Sequence, residues 1–251
     1  MSDYTYTNSP YKEIPNELLE KYTLSNKIPI LDWYFDGKNT LDQQIWNKEN
    51  MDLYINNFTS YKIKNNLHGE EPYPWASLWI LKAIEKYNIN NKRVAVIGSL
   101  IPWIEAILLN FNNTVTTVEY NVPVVNYPNL SSTSYWDFQK TTNLYDCIIT
   151  YSSVEHSGLG RYGDPLDPDG DIKTMKDIHS NLINNGILIW GAPVGHDALV
   201  WNAHRIYGKI RLPLMFDKFN ELEWIDVDKD NILNQELRQN SINPVIVLVK
   251  N

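Results

Sequence analysis

Residues Ser152-Ser153-Val154-Glu155-His156-Ser157-Gly158-Leu159-Gly160-Arg161-Tyr162-Gly163-Asp164-Pro165 gather most of the chain's reactive side-chain types in one glycine-rich stretch. An imidazole with a pKa near neutrality can take a proton from a hydroxyl, which makes His156 the leading general base. Glu155 can orient that imidazole or contact a cofactor, and His204 is the second candidate, as base or as a contact to the reacting molecule. Arg161, Arg205 and Arg211 carry planar guanidiniums of the kind that grip a diphosphate through paired hydrogen bonds. Tyr162, Asp164 and His196 complete the substrate-binding set. A rival reading uses Glu155, His156, Asp164, Asp167, Asp169 and Asp171 as oxygen and imidazole ligands for Mg or Mn. The run Asp167-Pro168-Asp169-Gly170-Asp171 lacks the closing glutamate of a calcium loop, so Asp169 or Asp171 is expected to cap the helix that follows.

A second set of residues has the spacing of a nucleoside site. Gly98-Ser99-Leu100-Ile101-Pro102 follows a short apolar run and contains one glycine where a dinucleotide loop usually has three. Gly98 permits a tight turn beneath a ligand, and Ser99 offers a hydroxyl. Glu119 lies 21 positions further on, at the end of a second apolar run, where a carboxylate can accept from both hydroxyls of a ribose. Asp137 is placed to accept from an adenine amino group, with Trp136 or Phe138 beside the ring. Tyr120, Ser152 and Ser153 flank the same positions. Adenosyl cofactors and NAD both satisfy this geometry, although the poor glycine loop counts against a pyrophosphate.

These residues sit at element ends. Arg93 to Gly98, Thr114 to Glu119, Thr133 to Trp136, Tyr145 to Tyr151 and Ile187 to Trp190 read as strands, the third weakly. Trp75 to Ile89, Pro102 to Phe111 and Asp171 to Ile183 read as helices, the last ended by Asn184-Asn185-Gly186. Strands joined by crossover helices imply an α/β fold with a mostly parallel sheet and helices on both faces. Leu222 to Val227 and Pro244 to Val249 are expected as an antiparallel pair at the sheet's end. Residues 1–70 form an N-terminal extension, with an extended piece at Ile28 to Leu31 and helical spacing within Asn39 to Asn66; residues 71–251 form the main domain. The extension is expected to act as a lid, an acceptor-binding element or a homodimer contact.

Composition narrows the function. The chain has 251 residues, a net charge of -8, 43% hydrophobic residues and one cysteine. Its basic residues are scattered, which argues against nucleic-acid binding. No long apolar run suggests membrane insertion and no signal pattern opens the chain, so a cytoplasmic location is expected. Cys147 reads as a small buried residue, and His68 and His179 as surface or structural ones.

The long loop, with Val96-Ile97-Gly98-Ser99, Pro102-Trp103-Ile104-Glu105, Thr117-Val118-Glu119-Tyr120 and Asn202-Ala203-His204-Arg205-Ile206-Tyr207-Gly208, resembles a family catalogued as a domain of unknown function, over about Pro74 to Phe216. Members look like class I S-adenosylmethionine methyltransferases, and some are similar to sugar O-methyltransferases of surface polysaccharide synthesis. The resemblance implies a Rossmann-like sheet, S-adenosylmethionine as cofactor, and a sugar or nucleotide-linked sugar as acceptor. A nicotinamide-dependent sugar reductase or epimerase, and a non-catalytic binding protein on the same fold, are the alternatives that the residues leave open.

Overall fold

The computed structural model describes residues 11–34, 43–142, 144–162, 164–237 and 241–251. The chain opens with α1 (Asn16–Tyr22), β1 (Ile30–Asp32), β2 (Ile45–Trp46), α2 (Lys48–Asn57) and α3 (Ser60–Lys64). The helical spacing expected from Asn39 is realised as two helices, because Asn47 and Thr59 each accept a backbone N–H at a new helix start; residues 39–42 lie outside the described residues. Ile45 belongs to β2, Leu53 and Tyr61 are exposed, and Met51, Phe58 and Ile63 are the side chains this segment buries.

Next come α4 (Ala76–Lys86), β3 (Arg93–Ile97), α5 (Trp103–Leu109), β4 (Thr114–Glu119), β5 (Val124–Val125), β6 (Leu130–Ser134), α6 (Tyr135–Phe138) and β7 (Tyr145–Tyr151). A short 3-10 turn over Val154–His156 leads to α7 (Gly170–Asn181), β8 (Leu182–Gly191), β9 (Ala198–Trp201), β10 (His204–Ile206), α8 (Leu212–Met215), β11 (Phe219–Trp224), α9 (Lys229–Leu233) and β12 (Val245–Lys250). The weak third strand thus lies slightly earlier than expected. Asn184-Asn185-Gly186 does not end the helix, which already stops at Asn181; the three residues lie within β8, where the pairing with β7 shifts register.

Seven strands form the main sheet in the order β11-β12-β8-β7-β3-β4-β6. β3, β4, β6, β7 and β8 pair in parallel, while β12 runs antiparallel to both β8 and β11, as expected for the terminal pair. β3 illustrates why its sequence is almost wholly apolar: Val94 and Val96 enter one core with Trp103, Ile107 and Ile84, and Ala95 and Ile97 enter the other with Met175, Ile178 and Trp190. Cys147 is buried and free, as expected. Trp75, where the helix was expected to begin, is the 63% exposed residue just before α4, and its positive φ turns the chain.

The strand order reverses direction between β3 and β7, so their carboxyl ends open onto the crevice where ligands of open α/β sheets bind. A smaller sheet, β1-β9-β10, lies beside the reaction loop, with the N-terminal strand β1 parallel to β9. The described part of the first seventy residues is therefore woven onto the main domain: α2 also packs on α5.

Candidate functional site at the carboxyl ends of the central strands

Gly98 follows β3 with a φ of +79°, and a Cβ there would stand 2.0 Å from Ser153 Oγ. The glycine is required by the chain itself, because Ser153, after β7, occupies the space a side chain would take. Ser99 does not offer its hydroxyl to the crevice as expected. It donates inward to Glu105 Oε2 at 2.9 Å, with the Ile101 carbonyl 3.0 Å away, and is buried.

Glu105, to which the sequence reading assigns no role, braces the turn after β3. It is fully buried on α5, and its other oxygen accepts from Thr117 Oγ1 at 2.8 Å, joining the turn after β3 to β4. Burial pushes its pKa up to about 7. The available signal was one acid inside the otherwise apolar run Trp103-Ile104-Glu105-Ala106-Ile107-Leu108-Leu109.

Glu119 ends β4 and accepts from the Tyr120 backbone N–H at 3.1 Å; burial raises it to about 7. Tyr120 packs its ring against Tyr135 and Trp136, and Trp136, in α6 just after β6, remains 39% exposed. Asp137 is not directed as expected. Its backbone N–H and one carboxylate oxygen both engage Ser134 Oγ, its other oxygen pairs with Lys140 at 3.0 Å, and the side chain is exposed. Helix capping uses the carboxylate that was assigned to adenine.

The reaction loop brings several predicted residues together. His156 Nδ1 lies 2.6 Å from the Ala203 carbonyl, an acceptor that fixes the proton on Nδ1 and leaves Nε2 as the acceptor nitrogen. Burial, with Arg161 beside it, lowers its pKa to about 3, so the ring is neutral. His204 and Tyr162 both meet the His156 ring edge-on, at centroid distances of 6.5 and 5.5 Å. Arg161 donates to the same Ala203 carbonyl at 2.9 Å and stands over the rings of Tyr162 and Trp33. Glu155 is fully buried, and its Oε1 is 3.6 Å from His156 Nε2.

Other predicted contacts are structural. Arg205 is buried, and its guanidinium donates to the carbonyls of Glu155, Ser157, Asp167 and Pro168. Arg211 makes a bidentate pair with Asp171 at 2.6 and 2.8 Å. Neither guanidinium faces outward to hold a diphosphate. Asp164 is also withdrawn from substrate: its carboxylate accepts from the backbone N–H groups of Gly158, Gly160 and Tyr162, folding the loop around itself. His196 is exposed on the turn after β8, while its neighbour Asp197 accepts from Gly208, Ile210 and Arg211. Asp169 occupies the N-cap position of α7, though its side chain makes no cap hydrogen bond; Asp171 is the anion for Arg211 and Arg205, and Asp167 pairs with Lys173. Among the described residues no three His, Cys, Asp or Glu side chains converge on a metal position. The hard-ligand set therefore does not fit Mg or Mn.

The profile of a family described as "Caenorhabditis protein of unknown function, DUF268" matches residues 91–244. The chain belongs to this family. The match starts later and ends later than the expected span of about 74–216, so it takes in β11 and α9 but not the N-terminal segment. In three dimensions the DUF268 chain is similar to 1,6-didemethyltoxoflavin-N1-methyltransferase of Burkholderia thailandensis, crystallised with 1,6-didemethyltoxoflavin and S-adenosylhomocysteine. That likeness has a TM-score of 0.51 at 12% identity over 87% of this chain and 98% of the other. It is also similar to the N-methyltransferase NodS of Bradyrhizobium japonicum in complex with S-adenosylhomocysteine, with a TM-score of 0.47 at 11% identity over 78% and 98% of the two chains. The sequence matches none of the curated proteins. The fold of the DUF268 chain is that of class I methyltransferases. Among the described residues no helix is long and apolar enough to cross a membrane.

Proposed function

We propose that the chain is an S-adenosylmethionine-dependent O-methyltransferase that acts on a sugar hydroxyl. The observation that carries the cofactor reading is the placement of Glu119 at the carboxyl end of β4, beside the one-glycine turn of β3 and near the partly exposed Trp136. A ribose needs an acceptor for its hydroxyls, and adenine needs a flat apolar face. A pyrophosphate would need a glycine cradle, whereas here Ser153 fills the space beside Gly98. The residues fit an adenosyl group without phosphate better than NAD.

Glu119, Trp136 and the turn Gly98–Ile101 would hold S-adenosylmethionine, which when bound supplies an electrophilic methyl group. The protein's task is to hold an acceptor oxygen in line with that methyl and to remove the hydroxyl proton. His156, His204, Tyr162 and Arg161 form the wall of the acceptor side.

Support for a saccharide acceptor comes from a groove of about 430 Å³ whose lining includes Trp33, Tyr34, Trp201, Asp32, Glu13 and Lys12. Aromatic faces suit the C–H face of a sugar ring, and carboxylates suit its hydroxyl edge. Arg161 over Trp33 connects this groove to His156. With Arg205 and Arg211 committed to internal partners, we favour a saccharide over a nucleotide-linked sugar as the acceptor. In this role residues 1–70 serve as the acceptor-binding element.

Calorimetric titration with S-adenosylmethionine and S-adenosylhomocysteine, followed by assay of S-adenosylhomocysteine formation with saccharides and with nucleotide-linked sugars, tests the proposal. Binding of both cofactors and turnover that requires a saccharide is expected. Absence of adenosyl-ligand binding at millimolar concentration overturns it, and a thermal shift with NAD or NADP alone favours a reductase.

A further inference from the structure

Tyr73, Ser152 and Glu155 make a hydrogen-bonded chain that the roles given above leave unused. Ser152 follows β7 in a left-handed conformation, φ +51°. Its Oγ lies 2.5 Å from the Tyr73 hydroxyl and donates to Glu155 Oε1 at 2.9 Å. The same carboxylate oxygen faces His156 Nε2 at 3.6 Å, while Oε2 is buried with no hydrogen-bond partner among the described residues. Tyr73 and Ser152 are both partly exposed, whereas Glu155 is wholly enclosed. The chain thus runs from the crevice surface to a carboxylate that solvent does not reach.

A serine hydroxyl has one proton and two lone pairs. With its proton on Glu155 and one lone pair facing the Tyr73 hydroxyl, Ser152 retains a second lone pair for an incoming hydroxyl. Its neighbour Ser153 touches the Gly98 turn, so this position adjoins the proposed cofactor site. His156 is less suited to keep a proton. Its Nδ1 is fixed on the Ala203 carbonyl, and an Arg161 guanidinium nitrogen is 3.4 Å from that same atom, so a cationic ring would stand against a fixed cation.

We propose that Ser152 relays the acceptor's hydroxyl proton to Glu155, with Tyr73 positioning the serine. Resting on the methyl-transfer reading, the step balances as follows. The acceptor oxygen bonds to the methyl carbon as the carbon–sulfur bond breaks and its electron pair stays on sulfur. The hydroxyl proton passes to Ser152 Oγ while the Ser152 proton passes to Glu155, leaving serine unchanged and a neutral carboxylic acid. His156 is then a positioning residue that lines the carboxyl. The groups around Glu155 are consistent with such a poise. Burial raises it to about 7, the hydrogen bond from Ser152 and the charge of Arg161 oppose the rise, and Arg205 holds its main-chain carbonyl. His156, Tyr73, Tyr151, Tyr162 and Tyr207 face it from the neighbouring elements and are neutral at that pH.

The test is an infrared titration of the buried carboxyl from pH 5 to 9 in the S-adenosylhomocysteine complex, identified by its loss in Glu155→Gln. Ser152→Ala is expected to raise the midpoint by about one unit, a tenfold change in proton affinity, and Tyr73→Phe to raise it less. In methyl transfer to methyl hexopyranosides, Glu155→Gln and Ser152→Ala should each lower turnover about a hundredfold or more with little change in the S-adenosylhomocysteine dissociation constant. His156→Gln should retain more activity than either. A midpoint unmoved by Ser152→Ala, or full turnover in that variant, overturns the relay while leaving the methyltransferase reading intact. Failure to bind S-adenosylhomocysteine overturns that reading itself, and the carboxyl titration can still be read in the free chain.

Discussion

Tyr22, on the first helix, donates its hydroxyl to the carbonyl of Gly158 in the reaction loop, 136 residues further along the chain. The same ring meets Trp201 edge-on and lies beneath Arg205, so one N-terminal side chain touches both the loop and the strand pair behind it. Tyr22→Phe removes the hydrogen bond but keeps the packing. It should cost about 0.5–1.5 kcal/mol, because the Gly158 carbonyl keeps the Asp167 backbone N–H as a donor. Hydrogen exchange should quicken at Leu159 and Gly160 more than in the central sheet; uniform change across the chain would show that Tyr22 does not hold the loop specifically.

Glu119→Ala should weaken S-adenosylhomocysteine binding about tenfold or more, since a lost charge-assisted hydrogen bond is worth about 1.5–3 kcal/mol. Calorimetry on the variant checks this. Unchanged affinity would remove Glu119 from the cofactor site.

Gly98→Ala faces two obstacles, the positive φ and the Ser153 hydroxyl. The variant should lose stability and cofactor affinity together. Adding Ser153→Gly removes the collision but not the φ penalty, so the double variant should recover part of the melting temperature. No recovery would mean that backbone conformation alone dictates the glycine.

Asp171 is buried between Arg211 and Arg205, with Tyr207 also donating to it. Asp171→Ala leaves two buried guanidiniums without their anion and should cost about 3–5 kcal/mol in urea unfolding. Asp171→Asn should cost less, since its amide oxygen still accepts from one of these donors, although its NH2 group turns a donor toward the others.

Glu105 titrates near 7 in the folded chain and near the ordinary carboxylate value when unfolded. Between those two values the folded state binds the proton and the unfolded state does not, so the stability this group contributes at low pH is lost as pH rises. Wild type should therefore lose stability relative to Glu105→Gln from about pH 4.5 to about 7, and the difference should level off above that range. Parallel melting curves at several pH values check the sign.

The sheet was legible because parallel strands buried on both faces read as unbroken apolar runs, and Arg93 to Ile97 and Tyr145 to Tyr151 stand out on that ground. Gly98 and Glu119 followed from their positions at strand ends. Arg205 and Arg211 were misread because a guanidinium looks the same in sequence whether it meets a ligand or an aspartate some forty residues away. Asp137 was misread because a local serine competes for its carboxylate. Glu105 and Tyr73 escaped notice because an acid on a helix and a tyrosine before one ordinarily mark surface, and only the packing of α5 and the turn before α4 makes them internal to the site. The proposed role of Trp33 depends on the pairing of β1 with β9, a contact across more than 160 residues that no local pattern announces.

β12 follows every other described strand in the chain, yet it lies inside the sheet, between β8 and β11. During synthesis β8 must therefore wait with an open edge while β11, already made, has no partner in the main sheet. An unpaired edge invites pairing with other chains. Nascent chains stalled before Val245 should consequently be sensitive to proteases and prone to self-association, and the main sheet becomes complete only as the segment Val245–Lys250 leaves the ribosome.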